Sequence, residues 1–76
     1  MPAFDKELGT SGLNCPMPVM KCKKMLQSLA AGQVLHLLAT DIGTKSDIPA
    51  LVNKTGDRIM ETSEADGKIH FYIKKG

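Results

Sequence analysis

Gln33-Val34-Leu35-His36-Leu37-Leu38-Ala39-Thr40 is the stretch on which the fold turns. At the two-residue period of a strand, Leu35, Leu37 and Ala39 form one wholly apolar face, and Val34, His36 and Leu38 form the other. A strand apolar on both sides is usually central in its sheet. Its neighbours are found by working outward. Toward the C-terminus, Asp41 to Lys45 reads as a loop. Ser46 is placed to cap a helix, with Asp47 favourable at the positive end of the dipole and Pro49 inside the first turn. Ala50, Leu51 and Val52 extend that helix, and Gly56 ends it. Arg58 to Ser63 reads as a strand carrying Ile59 and Met60. Asp66-Gly67 is a hairpin turn signal. Lys68 to Lys74 alternates cleanly, with Ile69, Phe71 and Ile73 on one face and His70, Tyr72 and Lys74 on the other.

Toward the N-terminus, Val19, Cys22, Leu26, Leu29 and Ala30 recur at three- and four-residue steps, which is helical spacing, and Gly32 is a good stop. Thr10 to Asn14 is a loop, and Phe4 to about Gly9 is a short strand. The order is β-α-β-α-β-β. Both helices are crossovers, so the first three strands run parallel and the last runs antiparallel to the third. Two helices cannot cover both faces of four strands. The expected fold is therefore an α+β two-layer sandwich, a mixed four-stranded sheet with both helices on one face. Val34, His36, Leu38, His70 and Tyr72 then share the open face. With 76 residues, one domain spanning 1–76 is expected.

The totals narrow the function. Two cysteines are too few for a secreted disulfide framework and fit a reducing compartment. No apolar run is long enough to span a bilayer, and the first residues lack a signal-peptide core, so a cytoplasmic protein with no membrane association is expected. A net charge of +2 is far from the basic footprint of a dedicated nucleic-acid binder. There is no Gly-rich phosphate loop and no catalytic carboxylate pair, and no cofactor is expected.

The chemistry concentrates in Ser11-Gly12-Leu13-Asn14-Cys15-Pro16-Met17-Pro18. Pro16 biases Cys15 toward an extended backbone, which suits an N-cap. Pro16 at the first helical position and Pro18 at the third lose no intrahelical hydrogen bond, because the first N–H groups of a helix have no partner within it. The helix dipole, the free N–H groups of Met17 and Val19, and the nearby Lys21, Lys23 and Lys24 all favour thiolate at Cys15. Cysteines so placed reach pKa values of roughly 3.5 to 7.5. The competing reading of Cys15 is a small apolar residue in a buried turn. Its loop-like flanks, Gly12 and Asn14, count against that.

Cys22 reads oppositely. It lies on the apolar stripe, as a core residue would. Seven residues of helix separate the thiols by about 10 Å, and a disulfide needs Cα atoms closer than about 7 Å. No intramolecular disulfide is expected. His36 and His70 read as sheet-face histidines; they fall on strands while Cys15 sits at a helix end, so no metal site is expected. The lysines read either as a solvated helix face or as a docking surface. Met17 and Met20 offer an adaptable contact patch.

Leu13-Asn14-Cys15-Pro16-Met17-Pro18-Val19, with Lys24 following, resembles the C-P-x-P signature of the TusA-like (SirA-like) sulfur-carrier family. Asp41 to Thr44, Asp47-Ile48-Pro49 and Gly56 resemble its pattern around the second helix. The likeness covers nearly the whole chain. Two positions depart from the family's frequent choices: Ile42, where a proline is common, and Asp57, where a histidine is common. The resemblance implies the two-layer fold and a persulfide carried on Cys15. It implies a sulfur donor of rhodanese or cysteine desulfurase type and a sulfur-acceptor protein. Family uses include tRNA thiolation, sulfur supply for molybdenum cofactor, and dissimilatory sulfur oxidation. The alternatives are a non-catalytic regulatory or RNA-binding module using the basic first helix, and a thiol-redox sensor closing a Cys15–Cys22 bond. Oligomeric state is left open by the sequence.

Overall fold

The computed structural model of the protein describes residues 4–10, 12 and 17–76. Its elements are β1 (Lys6–Thr10), α1 (Met17–Ser28), β2 (Val34–Ala39), α2 (Thr44–Thr55), β3 (Arg58–Ala65) and β4 (Lys68–Lys74). The expected β-α-β-α-β-β order and mixed four-stranded sheet are present. The spatial order is β1-β2-β4-β3. β1 lies parallel to β2, and β4 runs antiparallel between β2 and β3. The first three strands therefore point the same way, with β4 separating β2 from β3.

Register sorts the side chains as the alternation predicts. Leu35, Leu37 and Ala39 pair with Ile73, Phe71 and Ile69. Leu35, Leu37 and the three partner residues meet Cys22 and Leu26 of α1, Leu29 just after it, and Ile48, Leu51 and Val52 of α2 in one buried cluster. His36 pairs with Tyr72 and Leu38 with His70 on the opposite face.

Three boundaries differ from the sequence reading. Helix α2 starts at Thr44, two residues before Ser46, with Gly43 at the N-cap. Asp41 sets this start. Its carboxylate accepts the Gly43 N–H at 3.2 Å, and its carbonyl accepts the buried Thr44 hydroxyl at 2.6 Å. Ser46 therefore lies within the first turn, and Pro49 falls inside the helix beyond that turn. There its missing N–H leaves the Lys45 carbonyl without the usual helical donor. β3 continues past Ser63 to Ala65, with a bulge between Ile59 and Glu61. β1 begins at Lys6 and ends at Thr10. The Asp66-Gly67 turn has both residues at positive φ (53° and 74°), the backbone of a type I′ hairpin. Gly56 ends α2 in the left-handed conformation, and the Asp57 N–H returns to the Val52 carbonyl at 3.1 Å.

Candidate functional site

The candidate site is built where β1 hands the chain to α1. Thr10, fully buried, donates its hydroxyl to the Leu38 carbonyl at 2.6 Å, and the Gly12 N–H donates to the Thr40 hydroxyl at 2.8 Å. Both bonds fix the chain against the carboxyl end of β2, the end of a parallel pair where α/β proteins place their chemistry. Cys15 and Pro16 lie outside the described residues. Pro18 is fully buried in α1, which anchors the helix start to the core. The first turn of α1 carries no acidic side chain that would offset the positive end of its dipole.

The three lysines do not form one patch. Lys21, Lys23 and Lys24 are all exposed, and none makes an ion pair among the described residues. Lys21 and Lys24, however, share an open groove of about 270 Å³ with Leu8, Met25 and Ser28. Lys23 is not part of it. A helix turns 100° per residue, so positions 21 and 24 fall on one side and 23 on another. Met17 and Met20 are 42% and 58% exposed on the same helix, as a contact patch requires.

Cys22 is the opposite of a reactive thiol. It is completely buried, and its pKa is pushed up from 9.0 to about 12, first by burial and second by the Asp57 carboxylate. It is also a free thiol.

The sequence set His36 and His70 on one face of the sheet, and the β2–β4 register brings their rings into contact. His36 Nδ1 lies 2.9 Å from the Glu7 carboxylate, and its Nε2 lies 3.0 Å from His70 Nδ1. The carboxylate only accepts, so His36 carries its proton on Nδ1. In the neutral pair, His70 Nδ1–H then donates to His36 Nε2. Tyr72 stacks on His36 at 4.6 Å and 6°, and Phe4 lies 4.9 Å away. Among the described residues no group of three or more His, Cys, Asp or Glu side chains is arranged to hold a metal ion. Nor is any helix among them long and apolar enough to cross a membrane.

With this geometry in hand, comparison with known proteins is specific. The family model described as "Sulfurtransferase TusA" matches residues 6–75. The chain belongs to the TusA family. It is 51% identical over 75 residues to "Sulfur carrier protein TusA" of Allochromatium vinosum, covering 99% of each chain. It is 39% identical over 72 residues to "Putative sulfur carrier protein YrkI" of Bacillus subtilis, covering 95% of this chain and 96% of that one. Among solved structures, a SirA-like protein from Desulfitobacterium hafniense superposes with a TM-score of 0.85 at 28% identity, over 95% of this chain and 99% of its own. The TusA-family fold accounts for the layer arrangement.

Proposed function

We propose that this chain is a sulfur carrier. It accepts sulfane sulfur as a persulfide on Cys15 and hands it to a second protein. The observation that carries this reading is the burial of Cys22. Cys22 is buried in the core with a pKa near 12, which leaves the cysteine ahead of α1 as the candidate nucleophile. The names of the 51% and 39% identical relatives support the same role.

In the proposed step, the Cys15 thiolate attacks the terminal sulfur of a donor persulfide. A sulfur–sulfur bond forms on Cys15, the donor's sulfur–sulfur bond breaks, and the donor leaves as a thiolate. The helix end stabilises the charge on Cys15 before transfer and on its persulfide afterwards. Pro16 and Pro18 hold the entry to the helix. The donor is of rhodanese or cysteine desulfurase type, the acceptor presents its own cysteine, and residues 1–76 act as one carrier domain in the cytoplasm.

Intact-mass measurement after incubation with polysulfide tests the reading. Wild type and Cys22→Ala should each gain about 32 Da, one sulfur atom, reversed by dithiothreitol. Cys15→Ser should gain none. A gain that persists in Cys15→Ser would sink the proposal.

A further inference from the structure

We propose that the groove between α1 and the free edge of β1 docks an extended acidic segment of a partner protein, which adds to the sheet as a fifth strand beside β1. This is a recognition surface and stands apart from the sulfur chemistry of Cys15.

The sheet has two edges, and they differ. β3 is bulged between Ile59 and Glu61 and carries Glu61 and Glu64. Glu64 is also held by Lys45 at 2.8 Å. Bulges and charges are the usual protections of a strand edge. β1 pairs with β2 in unbroken register over all five residues, from Lys6 with Leu35 to Thr10 with Ala39. Among the described residues its other side has no neighbouring strand, so alternate backbone N–H and C=O groups face outward without a ladder partner. Strand addition at such an edge derives affinity from the main chain and specificity from pockets for alternate side chains.

The groove supplies those pockets. Leu8 of β1 and Met25 of α1 are half-buried against the core and give it an apolar floor. Lys21 and Lys24 stand over it from the helix. Lys6, exposed on β1, points to the helix side of the sheet in register with Leu8. None of these three lysines has an ion-pair partner among the described residues. The one acidic residue within β1, Glu7, is turned to the opposite face and engaged with His36. The site is therefore cationic around an apolar seat. An added strand would present alternate side chains to it in the order acid, apolar, acid.

A single-stranded nucleic acid fits less well. Bases need aromatic platforms, and the aromatic cluster of Phe4 and Tyr72 with His36 lies on the sheet face away from α1.

The test uses the full chain, isotopically labelled, and a capped peptide alternating threonine with glutamate, leucine and glutamate. Amide shifts are expected in Lys6–Thr10 and around Lys21, Lys24 and Met25, with slower hydrogen exchange at alternate β1 amides. Lys21→Glu combined with Lys24→Glu should weaken binding about tenfold or more, the scale on which charge complementarity discriminates partners. A peptide with lysine in place of glutamate should not bind. Cys15→Ser should bind like wild type, so this surface and the carrier reading can fail separately. The proposal is overturned by an absence of β1 shifts at millimolar peptide, by equal binding of the lysine peptide, or by unchanged β1 exchange. Tighter binding of oligouridylate to the same lysines would also overturn it.

Discussion

Replacing Cys22 with alanine should change how stability depends on pH, by an amount the structure sets. The folded protein holds this thiol at a pKa of about 12 against 9.0 for an ordinary one. Below pH 9 both the folded and unfolded chains keep the proton, and the thiol contributes no pH dependence. Above pH 9 the unfolded chain loses its proton while the folded chain retains it. Unfolding then releases a proton, so stability falls as pH rises. The fall is about 1.4 kcal/mol per pH unit and continues toward pH 12, for a total of order 4 kcal/mol. A chain of this length has roughly 4 to 11 kcal/mol in all, so the effect is large enough to measure by pH 10. The assay is urea unfolding at pH 7, 8, 9, 9.5 and 10 for wild type and Cys22→Ala. The variant should lose some stability at pH 7, because a sulfur is removed from a packed core. The difference between the two proteins should then shrink by about 1 kcal/mol from pH 9 to pH 10. Parallel curves over that range would refute the assignment of Cys22 as a thiol held protonated by burial. So would rapid alkylation of Cys22 at pH 8 in the folded protein, where only about one thiol in ten thousand is ionised at such a pKa.

Two further substitutions test the sheet. Tyr72 is fully buried and its hydroxyl finds no partner among the described residues. Tyr72→Phe removes a desolvated polar atom without changing the ring, so it should stabilise by about 1 kcal/mol and raise the melting temperature by roughly 4 to 8 °C; a lower melting temperature would contradict the buried, unpartnered geometry. Gly67→Val places a β-branched residue at φ 74° in the β3–β4 turn. It should cost about 1 to 2 kcal/mol, seen as a lower urea midpoint with unchanged slope, and a neutral effect would argue against a type I′ turn.

The fold was legible where the chemistry of the core repeats along the chain. Val34 to Ala39, apolar on both faces, announces a central strand, and the alternation of Ile69, Phe71 and Ile73 sets which side faces the helices. Asp66-Gly67 and Gly56 mark their turns because few residues tolerate positive φ. The misplaced start of α2 has a physical reason. Ser46 has the right side chain for a cap, but Asp41 captures the Gly43 N–H and the Thr44 hydroxyl first. The end of β3 was missed because Glu64 and Ala65 are exposed and carry no burial signal; backbone pairing with Ile69 and Lys68 extends the strand. The Glu7–His36–His70 chain has two links, which span 29 and 34 residues of sequence. It depends on a register between β2 and β4 that local patterning does not state. The splitting of the lysines, in contrast, was readable from the helical period alone.

The burial of Cys22 bears directly on the carrier chemistry proposed for Cys15. If Cys15 holds sulfur as proposed, a second accessible thiolate nearby would be harmful. It would attack the inner sulfur of the persulfide, close a disulfide and release hydrosulfide, so the cargo would be lost. Attack needs an ionised thiol with room to reach its target. Cys22 meets neither condition. It lies among Leu26, Leu29 and Leu37 in the core, completely buried, with its proton held by desolvation and by the Asp57 carboxylate. Asp57 is itself fixed in place, accepting the Thr55 hydroxyl at 2.7 Å and the Gly76 N–H at 2.8 Å. Packing thus withholds Cys22 from the chemistry proposed for the thiol seven positions earlier. It follows that Cys22→Ala should leave the lifetime of the Cys15 persulfide unchanged in the folded protein, whereas mild urea that loosens the core should shorten it only when Cys22 is present. Sulfide release measured across a urea series in the two proteins decides this, and equal release in both would remove Cys22 from the account.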